Sequence, residues 1–190
     1  VGFEADDVIG TLSRRAVAEG RPVAIVTGDK DFFQLVDDAS GVRVFNPRDE
    51  GAWYDAEGVK TKFGVTPEQV VDVLALMGDS IDNIKGVPGI GEKGARELIS
   101  THGSLDALLQ NAPALSGKKR ELLTTYADSA REARVLLKIP ADVPLPDVDV
   151  SCFDYRGPNR QKCFELFSAL GFRTLVTEYA PTADTVDTDY

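Results

Sequence analysis

Apolar residues in the first half of the chain follow two spacings, one typical of helices and one of buried strands. Between residues 5 and 19 they recur every three to four positions, which predicts an amphipathic helix ended by Gly20. Residues 22–27 are instead a continuous apolar run, consistent with a buried parallel strand. Residues 42–45 are a second strand candidate, and residues 53–54 are assigned to a short strand or edge. The alternation of strand and helix predicts an α/β fold with a mainly parallel sheet.

Helical spacing dominates the rest of the chain. Thr66 followed by Pro67 is a typical helix start, and the helix that follows, through Met77, is apolar enough to be buried. Further helices are predicted over 55–63, 92–101, 104–109, from 118 onward, over 127–138 and over 159–170, with an extended connector at 140–146 and a closing turn at 175–179.

The pattern predicts two domains and a linker. The α/β part covers residues 1–77, the helical part covers 78–179, and residues 180–190 are a linker poor in apolar side chains. The chain begins with Val rather than Met, and an acidic motif stands only four residues in. We therefore expect a segment of a longer protein.

Composition is that of a soluble globular protein, with 43% apolar and 27% charged residues. No apolar run approaches the length of roughly 18 residues that a membrane span needs. The formal charge of −10 does not exclude nucleic acid, because residues 85–120 carry six basic side chains against three acidic ones. Cys152 and Cys163 have no partners for a zinc site, which indicates a reducing cytoplasm, and His102 is given no catalytic role.

The stretch from residue 78 to residue 99 carries the most specific chemistry. Asp79 and Asp82 stand three apart in a polar turn after an apolar helix. Residues 86–91, here called the glycine hairpin, then lead into a helix that carries Lys93 and Arg96 on one face. Glycine allows backbone N–H groups to approach an anion, and a helix N-terminus adds unpaired donors, so the hairpin suits a phosphate. A sharp turn without a ligand is the alternative.

Other carboxylates stand at the ends of two earlier elements. Glu4, Asp6 and Asp7 precede or open the first helix, where acidic residues also favour the helix dipole. Asp29 and Asp31 follow the first strand, at the end of a sheet where ligands bind, although Asp31 could also be the N-cap of a helix over 32–36. If they converge with Asp79 and Asp82, these seven carboxylates suit Mg²⁺ or Mn²⁺ rather than zinc.

These motifs together resemble a known family. Gly78-Asp79-x-x-Asp82-Asn83 followed by Gly86-Val-Pro-Gly-Ile-Gly91-Glu-Lys-x-Ala95 is similar to the helix-three-turn-helix element of the 5'→3' exonuclease domain of bacterial DNA polymerase I, within the flap endonuclease superfamily. Upstream, Glu4-Ala-Asp6-Asp7 and Thr27-Gly28-Asp29-Lys30-Asp31 match as well, and the agreement runs from residue 1 to about residue 179. The resemblance implies a partial PIN-like sheet followed by a helix-hairpin-helix DNA-binding subdomain.

The resemblance also implies an activity and its partners. It implies hydrolysis of DNA phosphodiester bonds at 5' flaps and at nicked or gapped duplexes, by a monomer in the bacterial nucleoid, in a parent that is also a DNA polymerase. It implies two Mg²⁺ or Mn²⁺ ions, and K⁺ held by backbone oxygens near Val87 and Ile90. It places the first strands, with further aspartates, and an arch before Val1, so we expect this chain alone to cleave very poorly.

The resemblance assigns residues to roles. The catalytic set is Asp29, Asp31 and Asp79. The metal-binding set comprises seven acidic residues, Glu4, Asp6, Asp7, Asp29, Asp31, Asp79 and Asp82. The DNA-binding set lies in and after the glycine hairpin and comprises Lys85, Gly86, Val87, Gly89, Ile90, Gly91, Lys93 and Arg96.

Two other functions compete with the nuclease. A helix-hairpin-helix module could bind DNA without catalysis, and the sequence does not decide between that and a nuclease for this segment. An RNA-cutting, toxin-like nuclease would share the acidic cluster, but it normally lacks the glycine hairpin and the long helical region.

Overall fold

The apolar runs of the first half form a three-stranded sheet in the computed structural model, which describes residues 2–146 and 157–181. β1 (Val23–Val26) pairs in parallel with β2 (Val42–Asn46), from Val23 opposite Val42 to Val26 opposite Phe45. β3 (Ala52–Tyr54) then adds an antiparallel edge to β2. The prediction of an α/β fold is confirmed. Residues 27–31 directly follow β1, so they lie at the carboxyl end of the parallel pair.

Helices make up most of the remainder. In the first compact unit, residues 1–146, they are α1 Ala5–Ala18, a 3₁₀ helix Lys30–Leu35, α2 Ala56–Phe63, α3 Pro67–Met77, α4 Glu92–His102, α5 Leu105–Asn111, a short 3₁₀ helix Ala112–Ala114, α6 Gly117–Thr125 and α7 Ala127–Leu137. Among them, α1, α2 and the longer 3₁₀ helix contact this sheet. Across the two described ranges, no helix is both long and apolar enough to cross a membrane.

Local sequence signals set several helix ends. The hydroxyl of Thr66 and the side chain of Gln69 form a reciprocal capping box at the start of α3, with Pro67 in the first turn. The Asp55 carboxylate accepts the N–H of Gly58 at 2.8 Å at the start of α2. Gly64 ends α2 with a φ of 84°. The predicted ends of these two helices are therefore confirmed.

α3 is the central helix of the unit. Val70, Val73, Leu74 and Leu76 are fully buried against α4, α7 and the longer 3₁₀ helix. Its one buried charge, Asp72, accepts the N–H of Leu105 at 2.8 Å. This helix crosses from the sheet into the helical region, so both parts share one hydrophobic core. The predicted domain boundary between residues 77 and 78 stays a prediction.

Ion pairs to the buried Asp72 and to Asp106 fix α3 against its neighbours. Arg134 on α7 lies 3.6 Å from the Asp72 carboxylate and donates to Asp106 on α5 at 2.9 Å. Because Asp72 is removed from water, this partner and the Leu105 N–H compensate its charge. These ion pairs fix α7 relative to α3, and the segments that follow these two helices both line the cleft described below.

The polar turn after α3 is more ordered than its sequence indicates. β4 (Gly78–Asp79) and β5 (Ile84–Lys85) form a small antiparallel ladder, with Gly78 opposite Lys85 and Asp79 opposite Ile84. A Cβ atom at Gly78 or at Gly86 would lie closer than 3.0 Å to backbone atoms of the facing segment. Two glycines thus allow the chain to cross itself closely here.

The second compact unit comprises residues 147–190, of which 157–181 are described. α8 (Arg160–Leu170) begins at Asn159, whose side chain accepts the N–H of Lys162 at 2.9 Å. The predicted closing turn is instead a helix, α9 (Arg173–Tyr179), because Gly171 ends α8 in a left-handed conformation and the chain reverses. The Cys163 thiol is free and half-buried. Cys152 and most of the predicted linker lie outside the described residues.

Candidate metal centre and nucleic-acid interface

Three of the predicted metal ligands meet at one point. Asp31 lies in the first turn of the 3₁₀ helix, Asp79 in β4 and Asp82 in the turn between β4 and β5. Each offers a carboxylate oxygen, and these oxygens lie within 4.8 Å of one another. The fold therefore brings together two segments that are separated by nearly fifty residues in the chain.

Asp31 is the least satisfied member of this group. Its Oδ1 atom is shielded from solvent and has no hydrogen-bond partner among the described residues. Burial, together with the charges of Asp29, Asp79 and Asp82, raises the pKa of Asp31 to about 6. An unpaired, buried carboxylate oxygen beside two others is the donor set that a hard divalent cation requires, so the residues present fit such an ion.

Asp29 and Asp79 shape the turns that carry this cluster. Asp29 accepts the N–H of Asp31 at 3.0 Å and is the N-cap of the 3₁₀ helix. The sequence offered Asp31 as the N-cap of a helix starting at Phe32, and that alternative is wrong, because the extended backbone of Asp29 directs its own carboxylate to the N–H two residues on. Asp79 accepts the N–H of Ile81 at 2.7 Å in the same way.

The acidic residues of α1 face the same space. Glu4, Asp6, Asp7, Asp31 and Asp82 line a cleft of about 630 Å³, here called the acidic cleft, whose other lining residues are Gly2, Ile84 and residues 135–140. Partial burial and the charges of Asp29, Glu4, Asp7 and Asp82 raise the pKa of Asp6.

The carboxylates of Glu4 and Asp7 also cap the N-terminus of α1. The Asp7 side chain accepts the N–H of Glu4 at 3.0 Å, and the Glu4 side chain accepts the N–H of Asp7, so together they form the capping box of α1. The helix-start role considered for Asp7 is therefore present in the structure. Their place in the metal-binding set stays a prediction.

The glycine hairpin is fastened to the end of α3. The N–H of Val87 donates to the carbonyl of Leu76 at 2.8 Å, and the N–H of Ile90 donates to the carbonyl of Val87 at 3.1 Å. Gly89 completes the turn with a φ of 79°. The side chains of Val87 and Ile90 are buried, so the hairpin presents mainly backbone and Pro88 to solvent. A phosphate-binding loop needs this exposure of backbone.

The sequence did not predict part of the surface around the hairpin. A groove of about 600 Å³ is lined by Met77, Lys85 and the hairpin, and also by Tyr126 and Ser129. These last two residues start α7, far along the chain, and no local motif distinguishes them. Only the packing of α7 against α3 brings them to the hairpin.

The predicted basic contacts differ in their surroundings. Lys85 and Lys93 are exposed, and in the described parts of the chain neither has an acidic partner within 4 Å. Arg96 instead pairs with Glu92 and lies over the ring of Phe63, 4.5 Å from its centroid. Its guanidinium therefore contributes to packing between α4 and α2. Contact of Arg96 with DNA stays a prediction.

An oxygen-ligand cluster at a sheet end, joined to an exposed glycine hairpin, defines a metal-dependent class of nucleic-acid enzyme. Residues 65–161 match the family model described as 5'-3' exonuclease, C-terminal SAM fold, and residues 1–64 match 5'-3' exonuclease, N-terminal resolvase-like domain. The chain belongs to the 5'-3' exonuclease family, as the motifs predicted.

Curated relatives at high identity are bacterial DNA polymerases I. The chain is 43% identical over 176 residues to DNA polymerase I of Bacillus subtilis, covering 92% of this chain and 20% of that protein. It is 38% identical over 178 residues to the thermostable DNA polymerase I of Thermus aquaticus, covering 94% and 21%. The chain thus spans about a fifth of the curated relatives that it matches.

Solved structures share the fold. A mutant of T5 5'-exonuclease matches with a TM-score of 0.64 and 27% identity, over 73% of this chain and 56% of that chain. Bacteriophage T5 flap endonuclease, in a pseudo-enzyme-product complex with DNA and metal ions, matches with a TM-score of 0.65 and 23% identity over 94% and 58%. The catalytic core of Rad2 in complex with DNA substrate matches with a TM-score of 0.57 and 17% identity over 93% and 62%.

Proposed function

We propose that this chain supplies the metal-binding and duplex-binding parts of a structure-specific 5'-3' exonuclease and flap endonuclease. The substrates are DNA with a 5' flap, or a nicked or gapped duplex, and the reaction is phosphodiester hydrolysis. The protein acts as a monomer, in the bacterial nucleoid, within a DNA polymerase I.

One observation carries the proposal, namely the small ladder between the two sites. β4 carries Asp79, the turn between β4 and β5 carries Asp82, and β5 continues directly into the glycine hairpin. The Val87 N–H bond to Leu76 and the close approach of Gly78 and Gly86 fix this connection. A duplex held by the hairpin would therefore stand at a fixed distance from the carboxylates, as cleavage at a defined position requires.

The carboxylates fit Mg²⁺ or Mn²⁺. Asp31, Asp79 and Asp82 would hold the ion, with Asp29 close enough to raise the pKa of both Asp31 and Asp6. Two such ions, the number that the family resemblance implies, would polarise phosphoryl oxygens and supply a nucleophilic water at neutral pH. The T5 flap endonuclease structure is described as containing both DNA and metal ions, which supports this assignment.

The hairpin would bind the DNA backbone rather than the bases. Exposed Lys85 and Lys93 flank it, and phosphate contacts position a duplex without reading its sequence. We place K⁺ at backbone oxygens near Val87 and Ile90, the position that the family resemblance implies. About three to five phosphate contacts would give a slope near −3 to −4 when the logarithm of affinity is plotted against that of salt concentration.

A DNA-binding role without hydrolysis is favoured by one feature, the capping box of α1. Glu4 and Asp7 already accept backbone N–H groups, which leaves fewer free carboxylates for two ions. The two functions make different predictions for substitution of Asp79. If Asp79 is a metal ligand, its substitution should slow cleavage; if the chain only binds DNA, there is no cleavage for the substitution to slow.

The test uses a chimera in which this chain replaces the matching segment of Bacillus subtilis DNA polymerase I. Single-turnover cleavage of a labelled 5' flap and equilibrium binding are measured side by side. Asp79→Asn is expected to slow metal-dependent cleavage at least a hundredfold while flap affinity changes less than about threefold. Asp128→Asn, an exposed carboxylate on α7, is the matched control. A chimera that binds flaps tightly but yields no metal-dependent product would instead establish the binding module.

A further inference from the structure

The acidic cleft has a second wall of different chemistry. Besides the carboxylates it is lined by Ile84 and by residues 135–140, which form the end of α7 and the segment after it. Leu137 and Ile139 turn toward the core and are buried. Val135 and Leu136 turn outward and keep 74% and 69% of their surface exposed.

Lys138 adds a positive charge to this wall. It is exposed, and within residues 2–146 and 157–181 it has no acidic partner within 4 Å, although five carboxylates line the same cleft. Its backbone N–H donates to the carbonyl of Arg134, so it continues the last turn of α7. Arg134 in turn is held by Asp72 and Asp106. The wall is therefore anchored through α7, while its outward side chains are left without protein partners.

This pairing of walls suits one kind of occupant. A ligand in the cleft would need anionic oxygens to bind the metal ions held by the carboxylates. It would also need a second anionic group to pair with the ammonium of Lys138, and an apolar surface to cover Val135 and Leu136. A nucleotide has all three, since its phosphates are anionic and its base and sugar present apolar faces. A bare phosphate would leave Val135 and Leu136 without contact, and an apolar ligand would leave Lys138 unpaired.

We infer that residues 135–138 are a nucleotide-positioning wall for the substrate strand. In this arrangement Lys138 binds a phosphate adjacent to the one that faces Asp31, Asp79 and Asp82, and Val135 and Leu136 contact the base between them. The inference rests on the proposed nuclease function and extends it to the part of the substrate that occupies the cleft. Lys138 is thus a positioning residue that acts on the unpaired strand rather than on the duplex at the hairpin.

The charge is tested by binding of a 5'-flap oligonucleotide in Ca²⁺, with the full chain. Lys138→Met is expected to weaken binding about fivefold and to reduce the salt slope by about 0.7, the value for one single-strand phosphate contact. Lys138→Arg should retain both affinity and slope. Lys60→Met on α2 removes an exposed lysine outside the cleft and should match the wild type for the flap. Duplex without a flap should not distinguish Lys138→Met from the wild type.

The apolar contact is tested with a base-deletion series. Leu136→Ser should weaken binding of a normal flap about threefold to tenfold, and should have no effect when the nucleotides at the flap junction are abasic. Val26→Ser, an equally exposed apolar residue at the end of β1, is the matched control.

Two negative results have different meanings. If the wild-type chain shows no salt-dependent affinity for any DNA, the proposed function fails and this inference fails with it. If the wild type binds flaps, but Lys138→Met and Leu136→Ser bind them with unchanged affinity and slope, only the positioning wall is overturned. Equal losses on flap and plain duplex would also overturn it, since they would place Lys138 at the duplex.

Discussion

The acidic cleft and the glycine hairpin adjoin each other but are stabilised in opposite ways. The hairpin is contiguous in sequence, buries Val87 and Ile90, and is held by backbone hydrogen bonds to residues nearby. The cleft collects carboxylates from three separated segments and leaves one oxygen of Asp31 buried without a partner. The hairpin is complete as a protein structure, whereas the cleft has an excess of negative charge.

This difference predicts how each ligand should affect the stability of the fold. Binding of a phosphate by the hairpin would add contacts to a turn that is already stable. Binding of a cation in the cleft would remove repulsion that folding itself creates, so it should stabilise the fold. The two regions should therefore respond differently to substitution, metal and pH.

The largest expected effect concerns the junction between the regions. Gly86→Ala should reduce the free energy of unfolding by about 3 kcal/mol or more, because its Cβ would lie within 3.0 Å of backbone at Leu76, Met77 and Gly78. Urea unfolding measures the change. Gly94→Ala, in the first turn of α4 with only an ordinary contact at 3.8 Å, should instead stabilise by about 0.5 kcal/mol. Equal values for the two variants would contradict the close crossing of chains.

Metal dependence comes next in size. At about ten times its dissociation constant, Mn²⁺ or Mg²⁺ should add about 1.4 kcal/mol to the free energy of unfolding. Asp31→Asn combined with Asp79→Asn should abolish this gain, because both residues belong to the close carboxylate cluster. Asp128→Asn should retain it. If neither cation changes the melting temperature of the wild type, this chain assembles no metal site.

The pH dependence of the metal-free protein should isolate Asp31. Its pKa is about 6 in the folded protein and near 3.8 when unfolded, so the unfolded state loses its proton first as the pH rises. The contribution of Asp31 to stability is therefore complete below pH 3.8 and is lost as the pH rises through 6. With allowance for solvent screening the loss is about 1–2 kcal/mol. In chelator, Asp31→Asn should flatten this part of the stability profile, and an unchanged profile would contradict the raised pKa.

The smallest expected effect separates two basic residues of the hairpin helix. Lys93→Met should weaken duplex binding a few-fold and reduce the salt slope by about 0.9, since its ammonium is exposed. Arg96→Met should mainly lower stability, because its guanidinium already pairs with Glu92 and covers Phe63. Thermal melts and binding titrations on both variants measure this. A loss of slope in Arg96→Met equal to that in Lys93→Met would show that both contact DNA.

Features encoded by neighbouring residues could be predicted. Thr66-Pro67, Asp55 and Gly64 mark helix ends because capping groups act within one turn, and these predictions are confirmed. The strands at residues 23–26 and 42–46 were recognisable from their Val, Ile and Phe content. The expectation of a fully buried strand at 23–26 was wrong, because Ala24 and Val26 are exposed on one face of the sheet. The helix at Lys30 was less predictable, since either Asp29 or Asp31 could cap it and only the backbone angle of Asp29 decides.

The amino-acid sequence alone determined the family, the helix and strand pattern and the chemical types of the candidate site residues, because each depends on residue identity at short spacing. Only the tertiary structure decided which carboxylates meet, that Arg96 packs on Phe63, and that Tyr126 and Lys138 lie beside sites encoded far upstream. The reason is that α3 and α7 are brought together by core burial and by the Asp72–Arg134 pair. Contacts of that kind depend on distance in space, which no local motif records.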